Sequence, residues 1–199
     1  MSGYINNITQ TTVPQIRNIS GIDGLKLIQP KVLVDDRGYL VESYNIEEWP
    51  KQLGFNEIFK QDNHLFSKQG VLRGLYIQPK MGKLVSVIFG KIFNVAVDAR
   101  PDSKTYGKWH AEILDENGTH FWIPDGFLHG FYTMSADGAY VAFKCTDVQD
   151  PRSEFGVNPF DPEIGIDWPF LSKDKIIVSD HDRSYGTFRS IIEKFDVLL

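Results

Sequence analysis

Five polar residues lie inside segments that are otherwise apolar, and together they could line a ligand pocket. Arg73 and Lys83 occur in "GVLRGLYIQPKMGKLVSV", and His129, Asp98 and Glu42 lie in other apolar segments. A buried charge needs a partner, because its removal from water is costly. Each residue alone is explained by a structural ion pair or a surface position. Their concentration among Val, Ile and Phe favours a pocket, in which two cations would suit an anionic ligand.

The elements that must position these residues are short and mostly β. From Leu25 onward, apolar segments recur at short spacing between Gly, Asn, Asp and Pro. Such a pattern predicts an all-β jelly-roll barrel or sandwich, whose interior can hold one small ligand. "VIFGKIFNVAVDAR" predicts a hairpin with Gly90 and Lys91 at its turn. "IEEWPKQLG" predicts a short helix that ends at Gly54.

The chain is long enough for one domain with a full core. Residues 1–24 form a polar arm, which could supply an edge strand to a partner subunit. Residues 25–183 form the predicted jelly-roll domain. Residues 184–199 form a helical tail, with a short helix from Phe188 to Leu199.

Composition limits the classes of function. The net charge of −5 argues against a general nucleic-acid surface, although a local basic pocket is compatible with it. The single cysteine, Cys145, excludes an internal disulfide. No signal peptide or membrane-spanning apolar run is recognisable, so we expect a cytoplasmic protein without membrane contact.

The histidine spacing does not predict a metal site. No His-x-His pair occurs, and the dense ligand spacing of a metal-binding cupin is lacking. A site assembled from distant residues stays open at this stage. The five histidines are His64, His110, His120, His129 and His181.

Longer motifs resemble one family. The segments are "DDRGYLVESYN", "QDNHLFSKQGVLRGL", "GKLVSVIFGKIFNVAVDAR", "TYGKWHAEIL", "WIPDGFLHGFYTMS", "FKCTDV", "IGIDWP" and "IVSDHD". In order and spacing they are similar to the dTDP-4-dehydrorhamnose 3,5-epimerase family between Leu25 and Arg183. The resemblance implies a cupin jelly-roll homodimer that needs no metal or other cofactor. Its partner would be a nucleotide-diphosphate keto-sugar of deoxysugar or polysaccharide biosynthesis.

The reaction implied by the resemblance is inversion next to a ketone. The C4 carbonyl of a 4-keto-6-deoxy sugar acidifies the hydrogens at C3 and C5. A base removes one hydrogen, an enolate forms, and reprotonation from the other face inverts the centre. Such a site needs a base, a cation or donor at the enolate oxygen, and an acid on the opposite side.

The resemblance also implies individual roles. Tyr76 occupies the position of the family's base, a histidine, and would pair with Asp182, for which Asp174 is the rival. Lys83 would face the enolate oxygen, and His129 would line the same pocket. Four further positions match ligand contacts, some of which would reach across the dimer. These four are Arg37, Glu42, Gln61 and Asn63, and Arg73 matches the arginine that binds phosphate.

Three departures from the family pattern concern the chemistry. Phe143 stands where the family has a tyrosine acid. Val148 and Gln149 stand where many members have tyrosines, one of which stacks on thymine, so the nucleotide is open. An unperturbed phenol has a pKa of about 10, so Tyr76 suits a hydrogen-bond donor or an acid better than a base.

Two other side chains could in principle replace the missing groups. By the period of two along a strand, His64 falls on the face opposite Gln61 and Asn63. Tyr140 fails the same test against Phe143. The resemblance therefore implies an epimerase acting at C3, C5 or both, or an altered member that isomerises or only binds a nucleotide keto-sugar.

Overall fold

Two stacked β-sheets make up most of the molecule. The structure is a computed structural model, and it describes residues 8–170 and 175–190 of the 199. Its strands are β1 (Gln15–Asn18), β2 (Lys26–Gln29), β3 (Lys31–Asp35), β4 (Gly38–Glu42), β5 (Gln61–Ser67), β6 (Leu72–Ile77), β7 (Lys83–Phe89), β8 (Lys91–Asp98), β9 (Trp109–Asp115), β10 (His120–Ile123), β11 (Phe127–Thr133), β12 (Ala139–Cys145) and β13 (Phe155–Gly156). Its helices are α1 (Trp49–Leu53) and α2 (Asp180–Ser184).

The strands join in a non-sequential order. The six-stranded sheet runs β1-β2-β10-β7-β12-β5, and the five-stranded sheet runs β13-β6-β11-β8-β9. Strands β3 and β4 form a separate hairpin. Neighbouring strands pair antiparallel, with long crossovers from one sheet to the other. The all-β jelly-roll architecture predicted from the sequence is confirmed.

The core lies between the two sheets because alternate side chains of each strand point inward. Val85 and Val87 of β7 meet Ile92 and Ala96 of β8 there, and all four are buried. A second cluster covers the outer side of the five-stranded sheet, where the chain after β13 packs its Trp168. The two sheets are thereby held at a fixed spacing, which a site between them requires.

The helices are short. Helix α1 ends at Gly54, as predicted, and Gly54 adopts the left-handed conformation with φ of 64°. The helix predicted from Phe188 to Leu199 lies mostly in residues 191–199, outside the described part of the chain. Within the described ranges, no helix is long and apolar enough to cross a membrane.

The hairpin predicted around Gly90 is wrong. Strand β7 belongs to the six-stranded sheet and β8 to the five-stranded sheet, so the chain changes sheets at Gly90. Gly90 has φ of 85°, and a Cβ there would lie 2.2 Å from the carbonyl oxygen of Gly138. The chain does turn at Gly90, but each flanking strand pairs with segments that are distant in sequence instead of with the other strand.

The N-terminal strand and the β3–β4 hairpin lie at the margin of the molecule. Strand β1, which falls within the predicted arm, is the edge strand of the six-stranded sheet and pairs with β2 of its own chain. The β3–β4 hairpin exposes Leu33, Val34, Tyr39 and Leu40. An exposed set of large apolar side chains is typical of an interaction surface.

A closed polar cluster anchors the loop after β8. The carboxylate of Asp98 has no exposed surface and accepts hydrogen bonds from Arg100 Nε and Nη2, both at 2.8 Å. It also accepts from Ser103 Oγ at 2.6 Å and Thr105 Oγ1 at 2.5 Å. Arg100 lies over the ring of Phe127. Burial alone would raise the pKa of Asp98, but these hydrogen bonds lower it overall. Asp98 therefore belongs to a structural ion pair with Arg100, which is one of the two explanations that the sequence left open.

Candidate active site

A cavity of about 260 Å³ opens between the two sheets. Strands β5, β7 and β12 form one wall, and β6, β11 and the segment before β13 form the other. The structure brings four of the candidate residues together here. The lining residues are Leu65, Arg73, Tyr76, Lys83, His129, Gly130, Phe131, Phe143, Gln149 and Glu154.

A bulge in β6 turns Arg73 and Tyr76 toward the same cavity. Tyr76 lies opposite His129, whereas Arg73, three residues earlier, lies opposite Phe131, only two residues later. The extra residue on β6 reverses the normal alternation of side chains. Gly74 occupies this bulge with φ of 124°, and a Cβ there would lie 2.6 Å from the facing strand.

Lys83 presents a free ammonium group to the cavity. Only 7% of the residue is exposed, and no hydrogen bond or ion pair holds its Nζ among residues 8–170 and 175–190. Burial lowers the pKa of Lys83, and the charge of Glu154 opposes this shift only in part. A buried cation without a partner is ready to receive a negatively charged oxygen of a ligand.

His129 is held as a neutral ring. Its Nε2 lies 2.9 Å from Oδ1 of Asn94, and the residue is buried. Burial and the adjacent charge of Lys83 lower its pKa well below the usual range. In the tautomer that donates from Nε2, the ring presents an unprotonated Nδ1.

Tyr76 is bound to Asp182 through its hydroxyl. The phenol oxygen lies 2.9 Å from Oδ1 and 2.8 Å from Oδ2 of Asp182. Asp182 lies in α2, where its backbone N–H donates to the capping hydroxyl of Ser179. Burial, followed by the hydrogen bond and charge of Asp182, raises the pKa of Tyr76 strongly. The phenol is therefore protonated at neutral pH. The rival carboxylate, Asp174, lies outside the described residues.

Arg73 has unused donors in the cavity. Its Nε donates to Ser67 Oγ at 2.8 Å, and its two terminal nitrogens have no hydrogen-bond partner within the described ranges. The hydrogen bond fixes the direction of the guanidinium. The free face of Arg73 suits a bidentate contact with phosphate.

Gln61 and Asn63 lie on the same side of β5 as Leu65, which lines this cavity, and Asn63 lines the neighbouring cavity of about 350 Å³. Gln61 Nε2 donates to Asn63 Oδ1 at 3.0 Å, and Gln61 Oε1 accepts from the backbone of Gln149 at 2.8 Å. Asn63 Nδ2 lies 4.0 Å from the sulfur of Cys145. These amides link the strand to the segment that carries Gln149 into the cavity.

Arg37 and Glu42 do not line the cavity of their own chain. Both lie on the β3–β4 hairpin, and the Arg37 side chain is 90% exposed with an ion pair to Asp35 at 2.6 Å. The resemblance placed some ligand contacts across a dimer. A role for these two residues therefore stays a prediction that requires a second subunit.

Glu154 is the functional candidate that sequence reasoning missed. It lines the cavity, is partly buried, and has no hydrogen bond or ion pair in the described part of the chain. It lies directly before β13, a strand of only two residues that pairs with β6. So short a strand has no recognisable periodicity, and only its proximity to the "KCTDV" motif could have drawn attention to it.

The departures from the family pattern fall at two places in the site. Phe143 lines the cavity from β12 and offers no proton. Val148 is 59% exposed and lies outside the cavity, beside Gln149, which lines it. The sequence resemblance predicts groups that transfer a proton or stack on a base at these positions, and the side chains present here are apolar or amide.

His64 and Tyr140 lie on the opposite face of the six-stranded sheet, as the period of two predicts. His64 lines a different cavity of about 350 Å³, together with Lys144, which pairs with Asp62 at 2.6 Å. Tyr140 is exposed and packs on Phe66. In the pairing of β5 with β12, His64 lies opposite Ala142, whereas Asn63 lies opposite Phe143.

The described residues contain no group of three or more His, Cys, Asp or Glu side chains arranged to hold a metal ion. Cys145 is buried beside Lys83, and burial raises the pKa of its thiol. A protonated thiol is a poor metal ligand.

Comparison with known sequences gives an independent line of support. A sequence model described as dTDP-4-dehydrorhamnose 3,5-epimerase matches residues 20–190. A dTDP-4-dehydrorhamnose 3,5-epimerase from Methanothermobacter thermautotrophicus is 44% identical over 173 residues, which are 85% of this chain and 92% of the relative.

Solved structures share the fold over nearly the whole chain. A dTDP-6-deoxy-D-glucose-3,5-epimerase from Legionella pneumophila, in complex with dTDP-4-keto-L-rhamnose, has a TM-score of 0.84 and 42% identity, covering 91% of this chain and 96% of that chain. A variant of ChmJ, a 3'-monoepimerase from Streptomyces bikiniensis, has a TM-score of 0.80 and 27% identity, covering 90% of each chain. That variant carries a histidine-to-asparagine and a tyrosine-to-phenylalanine substitution and is in complex with dTDP.

Proposed function

Because the chain belongs to the dTDP-4-dehydrorhamnose 3,5-epimerase family, we propose that its cavity epimerises a nucleotide-linked 4-keto-6-deoxy sugar at C3, C5 or both. The observation that carries the proposal is the buried, unpartnered ammonium of Lys83 in the same cavity as Arg73 and His129. The cavity therefore offers a positive charge that would stabilise an enolate oxygen, as the reaction of this family requires.

Lys83 and His129 act at the ketone. Removal of a hydrogen next to the C4 carbonyl places negative charge on its oxygen, and a preorganised buried cation stabilises that charge. Among the described residues, no carboxylate is bonded to Lys83 that would neutralise its charge. His129 stays neutral beside it, so the ring shapes the cavity without adding a second competing charge.

Arg73 binds the diphosphate of the same ligand. Its guanidinium is held by Ser67, and no side chain in the part of the chain that the structure describes bonds to its terminal nitrogens. A planar donor pair matches two phosphate oxygens. Gln61 and Asn63, on the same strand as Leu65 of the cavity, contact the part of the ligand that extends beyond it.

Tyr76 and Asp182 act as a pair that holds a proton. The hydroxyl of Tyr76 donates to the carboxylate, and its raised pKa keeps it neutral. The pair therefore contributes a fixed polar wall, and it does not accept the proton from the sugar. This interpretation revises the role of base that the position of Tyr76 implied.

A homodimer completes the site. The cavity of about 260 Å³ is small for a whole nucleotide sugar, since small-molecule sites usually exceed about 300 Å³. The exposed β3–β4 hairpin carries Arg37 and Glu42 and an apolar surface that a second copy would cover. We propose that the hairpin of one subunit extends over the cavity of the other and contacts the nucleotide there.

Deuterium incorporation tests the proposed reaction. The protein is incubated in deuterium oxide with a dTDP-linked 4-keto-6-deoxyhexose, and the sugar is examined by NMR. Epimerisation through an enolate places deuterium at C3, C5 or both. Melting-temperature shifts with dTDP, GDP and CDP then identify the nucleotide, which the exposed Val148 leaves open.

A binding-only role is the second candidate. Phe143 offers no proton and Tyr76 is protonated, and the ChmJ variant with the substituted histidine and tyrosine still holds dTDP in its structure. A binder would show a raised melting temperature with the nucleotide sugar and no deuterium in the sugar. That result, obtained with dTDP, GDP and CDP sugars, would refute epimerisation.

A further inference from the structure

The proton acceptor must be one of the titratable groups that line the cavity. In the described part of the chain these are Arg73, Tyr76, Lys83, His129 and Glu154. The hydrogens at C3 and C5 are removed inside this cavity if the proposed function is correct. The base can therefore be sought by asking which of the five can take up a proton there.

Four of the five groups are poor acceptors. Arg73 is a permanent cation, and the ammonium of Lys83 is needed at the enolate oxygen. Tyr76 stays protonated, because its hydroxyl donates to Asp182 and its pKa is raised. His129 is buried next to Lys83, so a second positive charge on its ring is unfavourable.

The strand register aims Glu154 at the same space as Tyr76. Gly156 lies directly opposite Tyr76, so the two residues share a face of the sheet. Glu154 lies two residues before Gly156 and therefore points to that face as well. Gly156 has no side chain, and a Cβ there would lie 2.1 Å from the ring of Tyr185. The absence of a side chain at Gly156 leaves room for the ring of Tyr185, which meets the ring of Tyr76 edge-on at a centroid distance of 6.1 Å.

The surroundings of Glu154 leave its carboxylate available. No donor within the described ranges bonds to it, unlike Asp182, which is occupied by Tyr76. Its charge acts on Lys83 across the cavity and on Tyr185, so all three groups lie within electrostatic range. Burial and that charge raise the pKa of Tyr185 to about 12, which leaves Tyr185 protonated too.

We propose that Glu154 is the catalytic base that removes the proton from the carbon next to the ketone. This proposal rests on the function proposed above. The C–H bond breaks, the proton passes to a carboxylate oxygen of Glu154, and the bonding pair becomes the C=C bond of an enolate whose oxygen faces Lys83. Carboxylates perform this proton removal next to carbonyl groups in other enzymes.

The opposite wall explains how the centre is inverted. Glu154 lies on the side of the five-stranded sheet, whereas Phe143 lies on the six-stranded sheet. Because Phe143 has no proton to give, a water molecule that enters on that side protonates the carbon and leaves hydroxide. Glu154 returns its proton to that hydroxide through solvent, so no net proton is gained or lost.

The test compares Glu154→Gln with Glu154→Asp in the deuterium-exchange experiment. Gln keeps the shape but cannot accept the proton, so exchange should fall at least about 100-fold, within the range for removal of a general base. Asp keeps the carboxylate and should retain more exchange than Gln. Glu57→Gln is the matched control, because Glu57 is exposed and is not one of the residues that line the cavity. The melting-temperature shift with dTDP should stay the same in all variants.

The outcomes separate this proposal from the one on which it rests. If the unmodified protein exchanges no deuterium with any nucleotide keto-sugar, both proposals are overturned. If it exchanges deuterium and Glu154→Gln exchanges at a similar rate, only the assignment of Glu154 is overturned. Loss of exchange in Glu154→Gln together with loss of the dTDP shift would also overturn it, because the residue would then act in binding.

Discussion

Two polar clusters in this molecule contain similar residues but differ in how completely they are satisfied. In the Asp98 cluster, a carboxylate is bonded to Arg100, Ser103 and Thr105. In the cavity, Lys83 and Glu154 lie within electrostatic range, yet neither has a bonded partner among the described residues. Both clusters are placed by the ends of β-strands next to the core.

This difference separates a cluster that stabilises the fold from one that can bind a ligand. A closed cluster contributes to folding because each donor meets an acceptor, and an added ligand would gain nothing there. An open cluster carries an unfavourable desolvation that only a ligand can relieve. An unpaired cavity group such as Lys83, whose pKa is lowered by burial, is therefore the better functional candidate.

The largest expected effect follows from removing the cation of the open cluster. Lys83→Met should reduce deuterium exchange by about 1,000-fold, the upper range for loss of one oxyanion-stabilising group. The melting temperature should stay the same or rise, because a buried ammonium without a partner is replaced by an apolar chain of similar length. Lys91→Met, at an exposed position, is the control and should change neither value. A marked fall in the melting temperature of Lys83→Met would show that Lys83 is a structural residue.

Removing the carboxylate of the closed cluster should give the opposite pattern. Asp98→Asn should lower the free energy of unfolding by about 3 kcal/mol, near the lower limit for a broken buried ion pair because Arg100 is partly exposed. Urea unfolding measures this change, and exchange per folded molecule should be unaffected. A stable Asp98→Asn protein that has lost exchange would place Asp98 in the active site.

The comparison also shows which parts of the molecule the sequence could predict. Alternation along the strands predicted the all-β fold and placed His64 on the strand face opposite Gln61 and Asn63, because this periodicity is local. The pairing of β7 and β8 was predicted wrongly, because partners in a jelly roll are distant in sequence.

The site was predicted only where a charged residue interrupts an apolar strand. Lys83 and His129 were found in this way. The common face of Arg73 and Tyr76 depends on the bulge at Gly74, which a regular period cannot reveal. Glu154 precedes a strand of two residues, so its direction follows from tertiary pairing alone.

Protonation of a buried histidine should make the stability of the fold depend on pH. His120 is 3% exposed and lies outside the cavity, with Nδ1 at 2.6 Å from the carbonyl oxygen of Gly118. Burial lowers its pKa to about 4, and the charge of Lys144 acts in the same direction.

The sign of the effect follows from proton uptake. The unfolded chain protonates His120 near pH 6.5, above the folded value, so stability is present above that pH and is lost as the pH falls toward 4. Between pH 7 and pH 5 the loss should be about 2 kcal/mol from this residue. Urea unfolding at both pH values should show a smaller difference in His120→Gln. His129 should still contribute in the same direction, and an unchanged pH dependence would contradict the assignment.

The smallest effect on chemistry is expected at Tyr76, although it lies beside Glu154. Tyr76→Phe should change deuterium exchange by less than about tenfold, because the phenol keeps its proton and takes none from the sugar. The melting temperature should fall, since the buried carboxylate of Asp182 loses the hydroxyl that bonds to both of its oxygens. Glu154→Gln should show the reverse, with a large loss of exchange and little loss of stability. If Tyr76→Phe instead lost exchange by about 100-fold while binding dTDP normally, Tyr76 would be the proton carrier, and the pair with Asp182 would belong to the open cluster.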